Sequence, residues 1–592
     1  MKKHTRRGFL KKSGEVAVST GALSFLPGCG SITGHEKKRR YNVILILTDD
    51  QGYGDVGCHG NDIIKTPNLD RFALENIEFT RFYVCPTCAP TRAGLLTGRY
   101  HHRTGIQGVM SGEALINPDE ITIAEMFGNS GYTTGIFGKW HLGDNYPRRP
   151  MEKGFFESVV HNGGGLSQPS CPPGKGYFDP EFQKKHNFVL PEYIPHWLGS
   201  NAYFDPLLQH NGQQEQYKGY CTDIFFNEAK TFIEKHRAEP FFVYLPLNAP
   251  HAPEFVSEDY LAPYRNKGLD DKTARCYAMI TNIDDNFGRL INKLEELKLE
   301  ENTILIFLGD NGPQYLRYNA GIRDRKGSFY EGGFRVPCFM RFPGMMDGSR
   351  KTDTIAANID ICPTLLEACD VGKPAGVKLD GMSLLSLLEN SSIEWPARTL
   401  FFQGNNGVPE KYNQCAALTQ QYKLVNGKEL YDIIEDPSEK NDISGNHPDI
   451  VAKLRSEYEK WFDDVVNTRG QEPQYIYVGT SHENPVILTP QDWRGPRSRF
   501  VSEDSLGYWL IDVRSSGTYE ITLRFKKKDK PVIAHLTIGD KSASQECGKE
   551  ATSVTFDSYN IDTGKTRLDG WLEIDNKSIG VDYVDVRKLD RL

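Results

Sequence analysis

Three short apolar runs constrain the fold of this 592-residue chain more than any other feature. They are Asn42–Leu47 (NVILIL), Phe241–Leu247 (FFVYLPL) and Thr303–Leu308 (TILIFL). A run that is almost continuously apolar suits a strand covered on both faces, which is the condition of a parallel sheet. Helical patterns lie between them, at Thr122–Gly128 and Thr273–Leu297. Strand–helix alternation predicts an α/β fold with a largely parallel sheet. Each strand runs directly into polar residues: Thr48-Asp49-Asp50, Asn248-Ala249-Pro250-His251 and Gly309-Asp310-Asn311-Gly312. Ligands of such sheets sit beyond the carboxyl ends of the strands, so these tails are expected to converge on a site.

The texture changes near Thr399. Residues 421–432 (QYKLVNGKELYD) predict a hairpin turning at Asn426-Gly427, and 450–465 predict an amphipathic helix. Beyond residue 470 come short alternating runs at Tyr508–Val513, Tyr519–Phe525, Val532–Ile538, Trp571–Ile574 and Val581–Val586, enough for a small β-sandwich. A chain this long exceeds one hydrophobic core. The expected division is 41–395 for the α/β unit, 396–470 for a smaller α+β subdomain and 473–592 for the sandwich. In the sandwich, Trp493, Trp509 and Trp571 either form a sugar-stacking face or fill the core, and a structural or pocket-shaping role is favoured.

Residues 1–29 have the character of an address. Thr5-Arg6-Arg7-Gly8-Phe9-Leu10-Lys11 resembles a twin-arginine export signal, and the apolar stretch Val16–Leu26 is too short to span a membrane. Leu26-Pro27-Gly28-Cys29 resembles a lipoprotein processing box with Cys29 as the lipidated residue, and 30–40 would be a tether. Export to the periplasm or, as a lipoprotein, to the cell surface is the expectation. The chain has 70 basic and 78 acidic residues, a net charge of −8; without residues 1–29 the counts are 64 and 77, a net of −13. Such a chain is a poor nucleic-acid binder, and an anionic substrate would need a local basic pocket. The 12 cysteines are irregularly spaced and do not form a dense disulfide framework.

The most informative segment is residues 88–99, CAPTRAGLLTGR. It matches the pattern Cys-x-Pro-Ser/Thr-Arg followed by Leu-Thr-Gly-Arg, and it resembles the signature of the formylglycine-dependent sulfatases, within the alkaline-phosphatase-like superfamily. The resemblance covers residues 41 to about 470. It implies a mixed, mainly parallel sheet sandwiched by helices, and oxidation of Cys88 to formylglycine by a formylglycine-generating or sulfatase-maturing enzyme. The hydrated aldehyde is a diol that can accept sulfate and then expel it by eliminating through its second hydroxyl, a release route that Ser or Thr lacks. Competing readings of Cys85-Pro86-Thr87-Cys88 are a redox pair, a zinc pair or inert buried thiols.

Asp49, Asp50, Asp310 and Asn311 form a hard-oxygen set suited to Ca²⁺, with Mg²⁺ the second choice; with Cys88 they are the expected metal site. The resemblance carries further roles onto residues 138–143 (GKWHLG), 249–253 (APHAP) and 325–333 (RKGSFYEGG). Lys139 would bind sulfate, His141 would deprotonate the diol, and His251 would contact sulfate and protonate the leaving alkoxide. Lys326 would bridge sulfate and leaving oxygen, while Arg92 would hold the diol and the metal-ligand carboxylates. His102, Arg323 and Arg325 are pocket candidates, and His59 and His101 are departures from the common pattern on loops expected near the site.

These expectations describe a sulfuric ester hydrolase acting on a sulfated polysaccharide or its oligosaccharides. A phosphodiester or phosphonate monoester hydrolase with the same nucleophile is the alternative reactivity, and a glycan-binding surface lipoprotein with a vestigial site is the non-enzymatic reading.

Overall fold

The computed structural model describes residues 40–168, 177–194, 201–346, 348–404, 407–466, 468, 472–499 and 504–590. The twin-arginine segment, the Cys29 box, residues 30–39 of the tether and Cys171 lie outside the described residues.

The first apolar run forms the strand Asn42–Thr48, with all seven residues buried. It pairs in parallel with Phe241–Pro246 on one side and Thr303–Gly309 on the other. Thr133–Lys139 and Glu157–His161 continue the parallel core beyond Phe241–Pro246. Short antiparallel neighbours flank this core in a ten-stranded sheet: Cys338–Arg341 beyond Thr303–Gly309, and Leu207–His210 beyond Glu157–His161.

Side chains alternate across a strand, and here the alternation separates two cores. Ile44 and Ile46 pack with the helices Cys221–Lys235 and Asp271–Glu296, whereas Val43, Leu45 and Leu47 pack with Cys88–Thr97 and Ile361–Ala368. Each fully buried aliphatic side chain contributes about 1.5–3 kcal/mol, so strand register is strongly fixed by both layers. Helix starts follow from capping: Thr122 and Glu125 make a reciprocal capping box ahead of Ile123–Asn129. The expected sheet sandwiched by helices is what the structure shows.

Four antiparallel strands follow, Leu400–Gln403, Cys415–Leu418, Tyr422–Val425 and Glu429–Asp432, with the helix Pro448–Val466 against them. Asn426 and Gly427 both have positive φ, and Lys428 N–H closes the turn onto Val425 O at 2.9 Å; this is why Asn-Gly stands there.

The sandwich consists of a seven-stranded and a four-stranded sheet around a common core. Trp509 and Trp493 lie inside that core, and Trp509 Nε1 donates to Thr489 O at 2.8 Å. They do not form a sugar-stacking face. Trp571 is half-buried and stacks on His535 with ring centroids 3.9 Å apart. The sandwich core also contains Leu115 from the α/β unit. Arg148 donates to Tyr475 O and Gln474 Oε1, and Asn145 to Glu483 and Ile487 O. The seam is therefore apolar at its centre and hydrogen-bonded at its margin.

Asp492 is buried at this seam, and burial raises its carboxyl to about 6, with Arg494 and Arg148 partly opposing the rise. The native chain thus holds a proton that the unfolded chain, with an Asp value near 3.9, has released. Stability from this group is full below pH ~4 and declines as pH rises to about 6. In Asp492→Asn the fall in urea-unfolding free energy between pH 4.5 and 7.5 should shrink by roughly 1–3 kcal/mol. An unchanged pH slope would contradict the burial argument.

Candidate active site

Asp49 and Asp50 leave the end of the Asn42–Thr48 strand, and Asp310 and Asn311 leave the end of its neighbour Thr303–Gly309. Because those strands are paired in parallel register, Thr48 lies opposite Gly309 and the two acidic tails emerge together. Asp50 turns with φ 67°, and its N–H donates to Asp310 Oδ1 at 3.1 Å. Arg317, which sequence reasoning missed, supports this turn by donating to Asp50 O at 3.0 Å while paired with Asp55. Its spacing from the acidic pair is too long and irregular to carry a sequence signal.

Cys88 opens the helix Cys88–Thr97 and is 3% exposed. Arg92 lies four residues on, which places it on the same helix face. Its Nη2 is 2.8 Å from Asp310 Oδ2 and 4.0 Å from Asp49 Oδ2, and its Nη1 donates to Lys139 O at 2.9 Å. Lys139 ends the next strand but one and meets Asp49 Oδ2 at 2.7 Å, with neither side chain exposed. The approach of that strand end needs Gly138, because a Cβ there would fall 1.9 Å from Pro246 O. Lys326 pairs with Asp50 Oδ1, and Gly327 N–H donates to Pro86 O at 2.9 Å, tying the lysine loop to the segment before Cys88.

His251 sits with Nε2 3.9 Å from Asp50 Oδ2. Its Nδ1 is 2.6 Å from Ala252 O, a pure acceptor, so Nδ1 carries the hydrogen. His141 has φ 59°, and its Nε2 lies 2.8 Å from Val109 O, so by the same argument Nε2 is protonated. Its Nδ1 is buried without a hydrogen-bond partner and keeps a free lone pair.

The electrostatics follow from three buried carboxylates facing two buried cations, Arg92 and Lys139, and the half-buried Lys326. Burial pushes Asp310 up to about 6, with Asp49 adding to the rise and Arg92 opposing it. Burial also works to raise Asp50, but Lys326 and His251 overcome it and hold that carboxyl far below its usual range. Burial takes His251 down to about 4 and His141 well below its ordinary value, with nearby cations adding to both falls. Both imidazoles are therefore neutral near pH 7. The Cys88 thiol is pushed up by burial, so the unmodified side chain is not a ready thiolate.

The donor set fits a hard divalent cation. Asp49 Oδ1, Asp50 Oδ2 and Asn311 Oδ1 are buried with no hydrogen-bond partner, an arrangement costly to leave uncompensated. One oxygen each from Asp49 and Asp310 and Sγ of Cys88 fall within 4.8 Å of one another. Asn311 Nδ2 donates to Asp50 Oδ1 at 2.7 Å, which turns its Oδ1 toward this space.

Other candidates are placed elsewhere. His102 is buried, its ring 3.8 Å from that of His101 and edge-on to Trp461, so it does not line a substrate opening. His101 bridges Ile106 O and Gln403 O. His59 joins Tyr53 O to Glu78. Arg323 stacks on Tyr330 and donates to Tyr431 Oη and Glu439 O, which makes it a tie to the α+β subdomain rather than a pocket cation. Arg325 is exposed next to Lys326 and donates to Gln314 O. Short basic stretches gave no signal separating these structural ties from ligand contacts. All ten described cysteines are free.

A sulfatase family model matches residues 41–371, more than half of the sequence. The chain belongs to the sulfatase family. This sulfatase also matches the model described as N-sulphoglucosamine sulphohydrolase, C-terminal, over residues 321–464. It is 30% identical over 404 residues to the N-acetylgalactosamine-6-sulfatase of Sus scrofa, covering 64% of this chain and 71% of the relative. It is 29% identical over 520 residues to the N-acetylgalactosamine-6-O-sulfatase of Bacteroides thetaiotaomicron, covering 73% of this chain and 97% of that one. Among solved structures, Ps i-CgsB in complex with k-i-k-neocarrahexaose superposes with a TM-score of 0.63 at 28% identity, covering 74% of this chain and 95% of the other. The protein is a sulfuric ester hydrolase.

Divalent cation added to chelator-treated protein should raise its unfolding temperature, because a hundredfold excess over Kd stabilises by about 2.7 kcal/mol. Asn311→Ala, which deletes one orphaned oxygen, should lose most of that rise. An equal rise in wild type and variant would place the ion elsewhere.

Proposed function

We propose that this sulfatase removes sulfate from an O-sulfated carbohydrate, using a formylglycine made from Cys88 beside a Ca²⁺ ion held by Asp49, Asp50, Asp310 and Asn311. The observation that carries the reading is the joint placement of buried Cys88, three orphaned carboxyl and amide oxygens, the buried cations Arg92 and Lys139 and the half-buried Lys326 at one strand-end site. Three carboxylates and three cations balance, so a bound divalent ion leaves a surplus of positive charge matched to a sulfate group.

The ion, when bound, would polarise the nucleophile and a sulfate oxygen, and hydrated formylglycine would supply a nucleophile with a built-in release route. The chain's own residues do the rest. Lys139 and Lys326 hold sulfate oxygens and neutralise developing charge. His141 Nδ1, neutral and unpartnered, takes the proton whose loss releases sulfate. His251 Nε2 holds a proton for the leaving oxygen, since an anion bound nearby raises an imidazole that burial otherwise keeps near 4. Arg92 fixes Asp310 and the end of the Lys139 strand together, and Arg325 stands at the exposed margin.

A carbohydrate substrate is favoured because two relatives are named N-acetylgalactosamine-6-sulfatase and N-acetylgalactosamine-6-O-sulfatase, and a similar solved structure holds a neocarrahexaose. Conversion of Cys88 by a sulfatase-maturing enzyme before export, and anchoring through Cys29, complete the proposal for the cell surface. Among the described residues no helix is long and apolar enough to cross a membrane.

Mass spectrometry of the Cys88 tryptic peptide from natively expressed protein should show H₂S replaced by O, together with the hydrate. Desulfation of sulfated N-acetylgalactosamine and neocarrahexaose should exceed hydrolysis of matched phosphate esters, and Cys88→Ala should lower kcat by about 10³-fold or more. Full activity with an unmodified Cys88 thiol would sink the proposed nucleophile.

A further inference from the structure

The sandwich, which lies outside both matched family regions, reaches the proposed base. Its 3₁₀ turn Pro490–Asp492 carries Gln491, which is 4% exposed. Gln491 Nε2 lies 2.5 Å from Val109 O and 3.3 Å from His141 Nε2. Val109 O is the same carbonyl that accepts from His141 at 2.8 Å. A carbonyl has two lone pairs, and here one goes to the base and the other to the sandwich. The amide cannot be reversed, because its oxygen would then face a carbonyl oxygen at 2.5 Å. Gln491 Oε1 is otherwise buried without a partner, so no competing bond holds this side chain in place.

The loop that presents Val109 is itself held by the sandwich. Gly112 N–H donates to Gln491 O at 3.2 Å, Arg494 Nη2 donates to Gly112 O at 2.6 Å, and Ser111 Oγ is 3.0 Å from Ser498 Oγ. Leu115, at the far end of the same loop, is buried in the sandwich core. The loop is thus clamped from two sides, by the sandwich here and by the α/β core, against which Val109 packs and where Ile116 N–H donates to Leu142 O at 3.0 Å. His141 in turn has a positive φ, a backbone state that costs energy for a non-glycine residue and persists only where its surroundings over-determine it.

We infer that Gln491 is a positioning residue for His141, and that the C-terminal sandwich is an integral wall of the catalytic centre. By sharing Val109 O, the amide fixes the ring plane and the Nε2–H tautomer, leaving the Nδ1 lone pair free. The charged groups facing this ring are Lys139, Arg92 and Lys326, all cations. The sandwich adds a neutral donor, which orients the ring without restoring a charge that would cancel its basicity. The inference rests on the assignment of His141 as the base.

The test uses the full-length, formylglycine-bearing enzyme and a sulfated sugar. Gln491→Met keeps the bulk and removes the donor; kcat should fall about tenfold with KM within twofold and an unchanged unfolding midpoint, since a misplaced base costs rate rather than binding. Gln491→Glu presents an acceptor instead; it should draw the His141 Nε2–H away from Val109 and move the acidic limb of the kcat–pH profile upward. Wild-type kcat and pH profile in both folded variants overturn the positioning role. His141→Ala is the control: if it leaves kcat within twofold, the base assignment fails first. If it lowers kcat 10²-fold or more while both Gln491 variants behave as wild type, only the present inference fails. Should Gln491→Glu not fold, the kcat against KM split of Gln491→Met still decides.

Discussion

The whole architecture depends on keeping three buried carboxylates together with Arg92, Lys139 and the half-buried Lys326. An isolated buried charge costs several kcal/mol, and even a paired one is stable only with good geometry and further hydrogen bonds. Here the geometry comes from the sheet. Parallel strands in matched register deliver Asp49 and Asp310 side by side, and the Lys139 strand, two places along on the other side of Phe241–Pro246, brings its ammonium to Asp49. Arg92 then binds helix, sheet and both acidic tails through one guanidinium. Removing any one partner would leave an uncompensated charge, so the site and the stability of the sheet end are a single problem.

This constraint also explains the chemistry. The same low-dielectric surroundings that make unpaired charge costly make each preorganised donor effective on a developing anion. The cluster is not fully satisfied by itself: Asp49 Oδ1, Asp50 Oδ2 and Asn311 Oδ1 lack partners. Residual carboxylate oxygens among fixed cations suit a hard divalent ion, and they set this cluster apart from an ion-pair network in which every oxygen is paired. The neutral histidines at its edge are kept so by burial and by the same cations that would hold the substrate.

Much of this was legible in the sequence because it is encoded locally. The three apolar runs became the central strands within one or two residues, since full burial on both faces leaves little freedom in composition. Asn426-Gly427 marked its turn because few residues tolerate two successive positive φ values. Arg92 follows Cys88 at helical spacing, so one short segment encodes both. His102 and Arg323 behaved differently, whereas Trp493 and Trp509 took the core role the sequence favoured. The first two are residue types suited to binding, but their surroundings come from distant segments: His102 is buried against Trp461, and Arg323 is tied to Tyr330 and Glu439.

The sequence by itself determined the sulfatase unit: its strands, the Cys88 segment, the acidic strand ends and the ordered basic residues, all set by short-range pattern. Only the tertiary structure decided which side chains share a space and what surrounds them. The protonated nitrogen of His141, the support that Arg317 gives to Asp50 and the arrival of Gln491 at Val109 depend on contacts 32, 267 and 382 residues apart along the chain. No local pattern encodes such contacts, because they arise from the packing of whole layers rather than from the preferences of any one segment.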